Sequence, residues 1–180
     1  MVYIMLGTGF EEIEALTPVD LMRRAGIEVK TVGINGKVVY GSHNIGVEAD
    51  LELSELHTSD AEMIVLPGGL RGVTSIRESR KTMEIVRKAY DRGVFVAAIC
   101  AGPTVLADLG ILDGKHATCY PGCEGGMAEA IVEEKAAAVR DGSVITGASA
   151  GCAATFALAL IEALKGEEAA RTIREQIVIR

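Results

Sequence analysis

Three observations predict an α/β fold with a mostly parallel central sheet covered by helices on both faces. Segments that read as strands alternate with segments that read as helices along the whole 180-residue chain. The strand segments are unbroken apolar runs, as in Val2–Leu6 and Met63–Leu66, the pattern of strands buried on both sides. Small residues gather just past these runs, at Gly7-Thr8-Gly9, Pro67-Gly68-Gly69 and Ala101-Gly102, where an open α/β sheet binds its ligands. The length suits one domain, residues 1–180, with a substantial core.

Val2–Leu6 reads as the first strand and residues 10–25 as the first helix, ended by Gly26. Residues 27–34 form the second strand. Asn35-Gly36 is a strong hairpin signal and predicts an antiparallel return over Val38–Tyr40, with residues 45–49 a further short strand. Residues 50–60 are polar and acidic, a surface connection with a helical turn. Met63–Leu66 is the next buried strand, and residues 71–78 and 81–92 have the spacing of amphipathic helices. Residues 94–98 form a strand and residues 104–109 a helix closed by Gly110. Residues 115–119 read as a strand, Pro121-Gly122 as a turn and residues 122–130 as a loop or short helix. Asp141-Gly142 joins residues 136–140 to 144–146 in a hairpin-like pair. Residues 153–164 are apolar almost all round, so this helix is largely buried. A last helix covers residues 167–175, and residues 177–179 pack on the domain.

Composition removes several function classes. A net charge of −7 without any basic stripe argues against a nucleic-acid partner, whose phosphates demand Lys and Arg. The longest apolar segment, residues 153–161, is about half the ~20 residues a membrane helix needs. The chain opens on its first apolar run with no basic leader or cleavage pattern, so the expected compartment is the cytoplasm. Its four cysteines then read as thiols.

Chemistry centres on Cys100. It follows the strand of residues 94–98 by two positions, and Pro103 suits the first turn of the helix beyond it. Ala98-x-Cys100-x-Gly102 approximates a nucleophile elbow, with cysteine for serine and alanine for the first glycine. Such a turn lifts the side chain above the sheet, and an adjoining helix N-terminus favours the thiolate. A cysteine elsewhere is most often an inert core residue; the strand–small–Cys–small–helix context reverses that reading.

Glu14 is the natural partner. Its neighbours Ile13, Ala15 and Leu16 are apolar, which draws its carboxyl toward the crevice, where burial raises the pKa and lets it shuttle protons. Glu11 and Glu12 read as helix-entry charges on a solvated face. Gly7-x-Gly9 opens like a dinucleotide fingerprint, but Glu12 stands at the third glycine and would repel a pyrophosphate. His43, His57 and His116 read as surface or strand-edge residues, Cys119 and Cys123 lack the second pair of a zinc site, and Cys152 reads as a small core residue.

These residues carry a family resemblance. The chain resembles the ThiJ/PfpI superfamily, in the branch of the parkinsonism-associated deglycase, through residues 9–14, 18–27, 65–69 and 97–103 and the late run of residues 156–164. The resemblance spans nearly the whole chain. It implies a flavodoxin-like (class I glutamine amidotransferase-like) three-layer sandwich, usually a homodimer, with the reactive cysteine at Cys100. It also implies that a glutamate at Glu14 hydrogen-bonds the cysteine and lowers its pKa. Backbone N–H groups at Gly69 and Ala101, beside Gly68, would form an oxyanion site. Two positions depart from the branch: Tyr120 stands where a histidine is common, and His43 where the partner subunit supplies an arginine.

The expected function is a cofactor-free, metal-free glyoxalase or deglycase acting on methylglyoxal or glyoxal and their adducts, with Cys100 as nucleophile and Glu14 as proton carrier. An oxidation sensor or chaperone using the same thiol is the alternative. A peptidase or amidase ranks last, because Ala101 replaces the histidine that peptidase-like members carry.

Overall fold

The computed structural model describes residues 1–179. The chain runs β1 (Val2–Leu6), α1 (Glu12–Arg24), β2 (Val29–Gly33), β3 (Val38–Tyr40), β4 (Gly46–Glu48), β5 (Leu51–Glu52) and β6 (Met63–Leu66). It continues with α2 (Leu70–Glu78), α3 (Arg80–Asp91), β7 (Phe95–Ile99), α4 (Pro103–Asp108), β8 (His116–Ala117) and β9 (Ile131–Val132). The last elements are β10 (Ala138–Asp141), β11 (Val144–Gly147), α5 (Ala153–Lys165) and α6 (Glu167–Gln176).

Seven strands form the central sheet in the order β10-β11-β7-β6-β1-β2-β5, parallel throughout except for the β10–β11 hairpin. Because the central strands β1 and β6 are buried on both sides, their successive residues feed opposite cores. Val2, Ile4 and Leu6 of β1 join the core under α1 and α5, whereas Tyr3 and Met5 join the core under α2, α3 and α4. Met63 and Val65 against Ile64 and Leu66, in β6, divide the same way. This is the three-layer α/β architecture expected from the apolar runs. Strand order reverses at β1, which has β2 on one side and β6 on the other, so the crevice opens above the C-terminal ends of β1, β6 and β7.

The structure corrects the reading of residues 34–60. Asn35-Gly36 does not fold β3 back on β2. Instead β3 pairs with β4 as a separate ribbon, and the free edge of β2 is taken by β5, in parallel. Asn35 is used differently: its side-chain oxygen accepts the Thr8 backbone N–H at 3.1 Å. The segment of residues 50–60 therefore holds an edge strand as well as a helical turn at Leu53–Glu55. Residues 115–119 narrow to a two-residue strand paired with β9, a strand that sequence patterning does not show. Cys152 is half-buried at the start of α5 rather than a core residue. Among the described residues, no helix is long and apolar enough to cross a membrane.

Helix α5 closes the core on one face, and Phe156 is its largest wholly buried side chain. Its ring lies against Gly147 at the end of β11, where an added Cβ would stand only 2.9 Å away. Phe156→Ala should therefore cost about 3–5 kcal/mol of stability, read from the urea unfolding midpoint.

Candidate active site

Strand β7 stops at Ile99 and α4 begins at Pro103, so three residues must turn the chain from sheet to helix. Cys100 makes that turn with φ 65°, a left-handed conformation rare for a residue with a side chain. The turn is held from several directions. Cys100 N–H donates to Gly147 O at 2.9 Å, Tyr120 N–H donates to Cys100 O at 2.9 Å, and Gly102 N–H returns to Ile99 O at 2.9 Å. Small residues are required here, since a Cβ on Gly102 would stand 2.8 Å from Leu66 O. The elbow inferred from the Ala98-x-Cys100-x-Gly102 pattern is present.

Glu14 lies on the first turns of α1 and is wholly buried. Its Oε2 accepts the Gly68 N–H at 2.8 Å, its Oε1 is buried without a hydrogen-bond partner, and its carboxyl interacts with the Cys100 thiol. Gly68 is the point both groups crowd: a Cβ there would overlap Glu14 Oε2 and lie 2.7 Å from Cys100 Cβ. The Ala101 and Gly69 backbone N–H groups lie near enough to the Cys100 sulfur to favour its thiolate.

Electrostatics tie the pair together. Burial pushes Glu14 up to about 7, only partly offset by its bonds to Cys100 and the Gly68 N–H. Burial, and then the charge and hydrogen bond of Glu14, push Cys100 up to about 12 against the pull of the Ala101 and Gly69 amides. The thiol is thus not acidified merely by lying at a helix N-terminus, as its sequence context suggested. A thiolate becomes favourable once Glu14 is protonated, because the repulsion then vanishes and the carboxyl turns into a donor to sulfur.

Both groups open into a cavity of about 630 Å³, lined also by Gly69, Ala101, His43 and Tyr120. All the candidate residues named from sequence meet here, with Gly68 directly behind them. Tyr120 is half-exposed at the rim. His43 reaches this cavity from the β3–β4 turn of its own chain.

Glu12 differs from its sequence reading. It is buried, not solvated, and clamps that turn: Oε1 accepts the His43 N–H at 2.8 Å, and Oε2 lies 2.9 Å from His43 Nδ1. Burial opposes its charge, but the His43 ring, backbone N–H groups and Ser42 outweigh it and hold the carboxyl near about 2. The His43 imidazole is pushed up in turn, chiefly by its bond to Glu12 and then by the charges of Glu11 and Glu12. Glu11, Glu12 and His43 place ligand-type atoms within 4.8 Å of one another, yet Glu12 is already saturated by the turn it holds. Leu70, Arg71, Cys123 and residues 149–151 also line the cavity and were not singled out by sequence, since nothing local marks them.

Glu14 binds its proton more tightly folded, at about 7, than at its ordinary value of 4.5. Its stabilising contribution is full below pH 4.5 and is lost as pH rises through about 7. Glu14→Gln removes this loss, so its stability relative to the parent protein should rise between about pH 5 and 8, by at most on the order of 3 kcal/mol. Paired thermal melts across that range test it; the raised His43 acts in both proteins and cancels.

Known proteins share this fold. The DJ-1/PfpI family model matches residues 1–163. Protein dj-1beta of Drosophila melanogaster is 35% identical over 179 residues, covering 98% of this chain and 95% of its own. Its crystal structure superposes with a TM-score of 0.95 at 33% identity, over 99% of this chain and 97% of that one. A protein named as a deglycase from Pyrococcus abyssi is 34% identical over 132 residues, 73% of this chain and 79% of its own. An oxidised DJ-1 from Toxoplasma gondii has a TM-score of 0.92 at 30% identity, over 98% of this chain and 97% of that one. With the fold and the family model in agreement across the sequence, the chain belongs to the DJ-1/PfpI family.

Proposed function

We propose that the protein is a cysteine-dependent, cofactor-free glyoxalase or deglycase acting on methylglyoxal, glyoxal and their adducts, with Cys100 as nucleophile and Glu14 as proton carrier. The observation that carries this reading is a buried carboxyl, with its pKa near neutrality, against a thiol that two backbone N–H groups also approach. The similarity to a deglycase supports it at the family level.

The chemistry follows from the geometry. Cys100 thiolate adds to the aldehyde carbon, and the Gly69 and Ala101 N–H groups take up the oxyanion, a contribution of ~3 kcal/mol. Glu14 gives that oxygen its proton, leaving a hemithioacetal. As a carboxylate it then removes hydrogen from the same carbon and returns it to the neighbouring one, while the hydroxyl proton passes between the two oxygens. The first carbon is oxidised to a thioester and the second reduced to an alcohol. Water cleaves the thioester, releasing the 2-hydroxy acid and restoring the thiol. No external electron carrier enters the balance.

An oxidation sensor is the second reading, favoured by a thiol that is only partly buried and opens into the cavity. Purified protein given methylglyoxal without glutathione should yield lactate, Cys100→Ala none, and Glu14→Gln at least about 10²-fold less while still folded. No lactate from the parent protein, with Cys100 the first thiol oxidised by mild peroxide, would favour the sensor.

The homodimer is part of the same proposal. Ile13 is 53% exposed on α1, and Tyr40 and Ile45 are each 53% exposed on the ribbon that Glu12 ties to that helix. Together with Leu16 they form apolar surface of the kind that interfaces cover. Light scattering should give a dimer, and Ile13→Glu with Leu16→Glu a monomer.

A further inference from the structure

We propose that Arg71 makes the site selective for 2-oxoaldehydes carrying a carboxylate at the end away from the aldehyde; this rests on the aldehyde reading above. Arg71 is the second residue of α2, two positions after the Gly69 oxyanion donor, and it lines the same cavity as Cys100. The start of its stem is fixed. Gly9, at φ 86°, faces it across the crevice, and any side chain there would collide with Arg71 Cβ.

Its charge is uncommitted. Arg23, Arg24, Arg77, Arg80 and Arg87 each pair with an aspartate or glutamate, whereas Arg71 has neither ion pair nor side-chain hydrogen bond among the described residues. The other charged groups at the cavity are already matched. Glu11 lies 2.8 Å from Ser42 Oγ and 3.5 Å from His43 Nδ1, His43 pairs with Glu12, and Glu14 faces Cys100 and the Gly68 N–H. A carboxylate entering the cavity would therefore find one available cation, with a planar fork suited to bidentate binding.

The aldehyde carbon must sit at the sulfur, between the Gly69 and Ala101 donors. A short chain that runs from that carbon to the α2 side of the cavity brings its far end to Arg71, which lines the cavity there. Methylglyoxal offers only a methyl group there, while 4,5-dioxopentanoate offers a carboxylate two methylenes further on. Its turnover has the same balance: one water is consumed, the aldehyde carbon becomes a carboxylate, the ketone becomes an alcohol, and 2-hydroxyglutarate leaves.

Two readouts test the assignment. The ratio of kcat/KM for 4,5-dioxopentanoate over methylglyoxal should exceed one in the parent protein. It should fall about tenfold or more in Arg71→Gln, with Arg71→Lys between them. Independently of turnover, the rate of Cys100 alkylation by iodoacetate relative to iodoacetamide should fall by a similar factor in Arg71→Gln. Arg71 is exposed, so the variant should fold, which circular dichroism checks. If Arg71→Gln changes neither ratio, the inference is overturned. If neither aldehyde is turned over but the iodoacetate preference falls, the aldehyde reading fails while the anion selectivity of Arg71 stands.

Discussion

Glu14 and Cys100 meet across Gly68, and much of the fold serves to keep them there. A carboxyl with no solvent exposure is costly unless it finds donors or keeps its proton, and Glu14 has a single backbone N–H. The remaining oxygen is buried without a hydrogen-bond partner, and the carboxyl has the thiol as its other neighbour. A site that spends stability in this way is poised to exchange a proton, since either group can carry the one they hold between them. Gly68 is indispensable to the contact because no side chain fits between the two.

The elbow adds a second cost. A left-handed φ at a residue with a side chain is worth about 1–3 kcal/mol, and it persists only where its surroundings over-determine it. Here the parallel sheet does so: β11 on one side takes the Cys100 N–H, β6 on the other presses Leu66 O against Gly102, and residue 120 caps the Cys100 carbonyl. Phe156, beneath Gly147, supports the strand that receives the Cys100 N–H. The strain is thus anchored to the hydrophobic core rather than to a loop.

What sequence reveals follows the range of the interactions. The elbow was legible because strand, cysteine, small residues and proline lie within ten positions, and local backbone chemistry fixes the turn. The apolar neighbours of Glu14 single it out, yet Ile13 and Leu16 are exposed, so the signal finds the right residue without explaining its burial. Glu12 was misread because its partners lie about thirty residues away, in a turn whose place depends on β3 and β4 pairing with each other. Asn35-Gly36 carries a hairpin signal in isolation, but β5 takes the edge that a hairpin would need. Arg71 gives no local signal at all; it matters only because topology brings α2 to the mouth of the same crevice.

Glu12 and Glu14 show how closely function depends on that long-range placement. They stand two residues apart on one helix, both buried, yet one is held near about 2 and the other near about 7. Desolvation raises both and weighs more on the deeper Glu14, and the donors widen the difference. Glu12 receives the N–H groups and imidazole of a turn folded over it, which makes its charge permanent and fastens the ribbon to the site. Glu14 receives one N–H and a thiol, so its charge is conditional on what happens at sulfur. Two carboxyls with one residue between them are thereby held in different states by environment, one permanently charged and one able to exchange its proton.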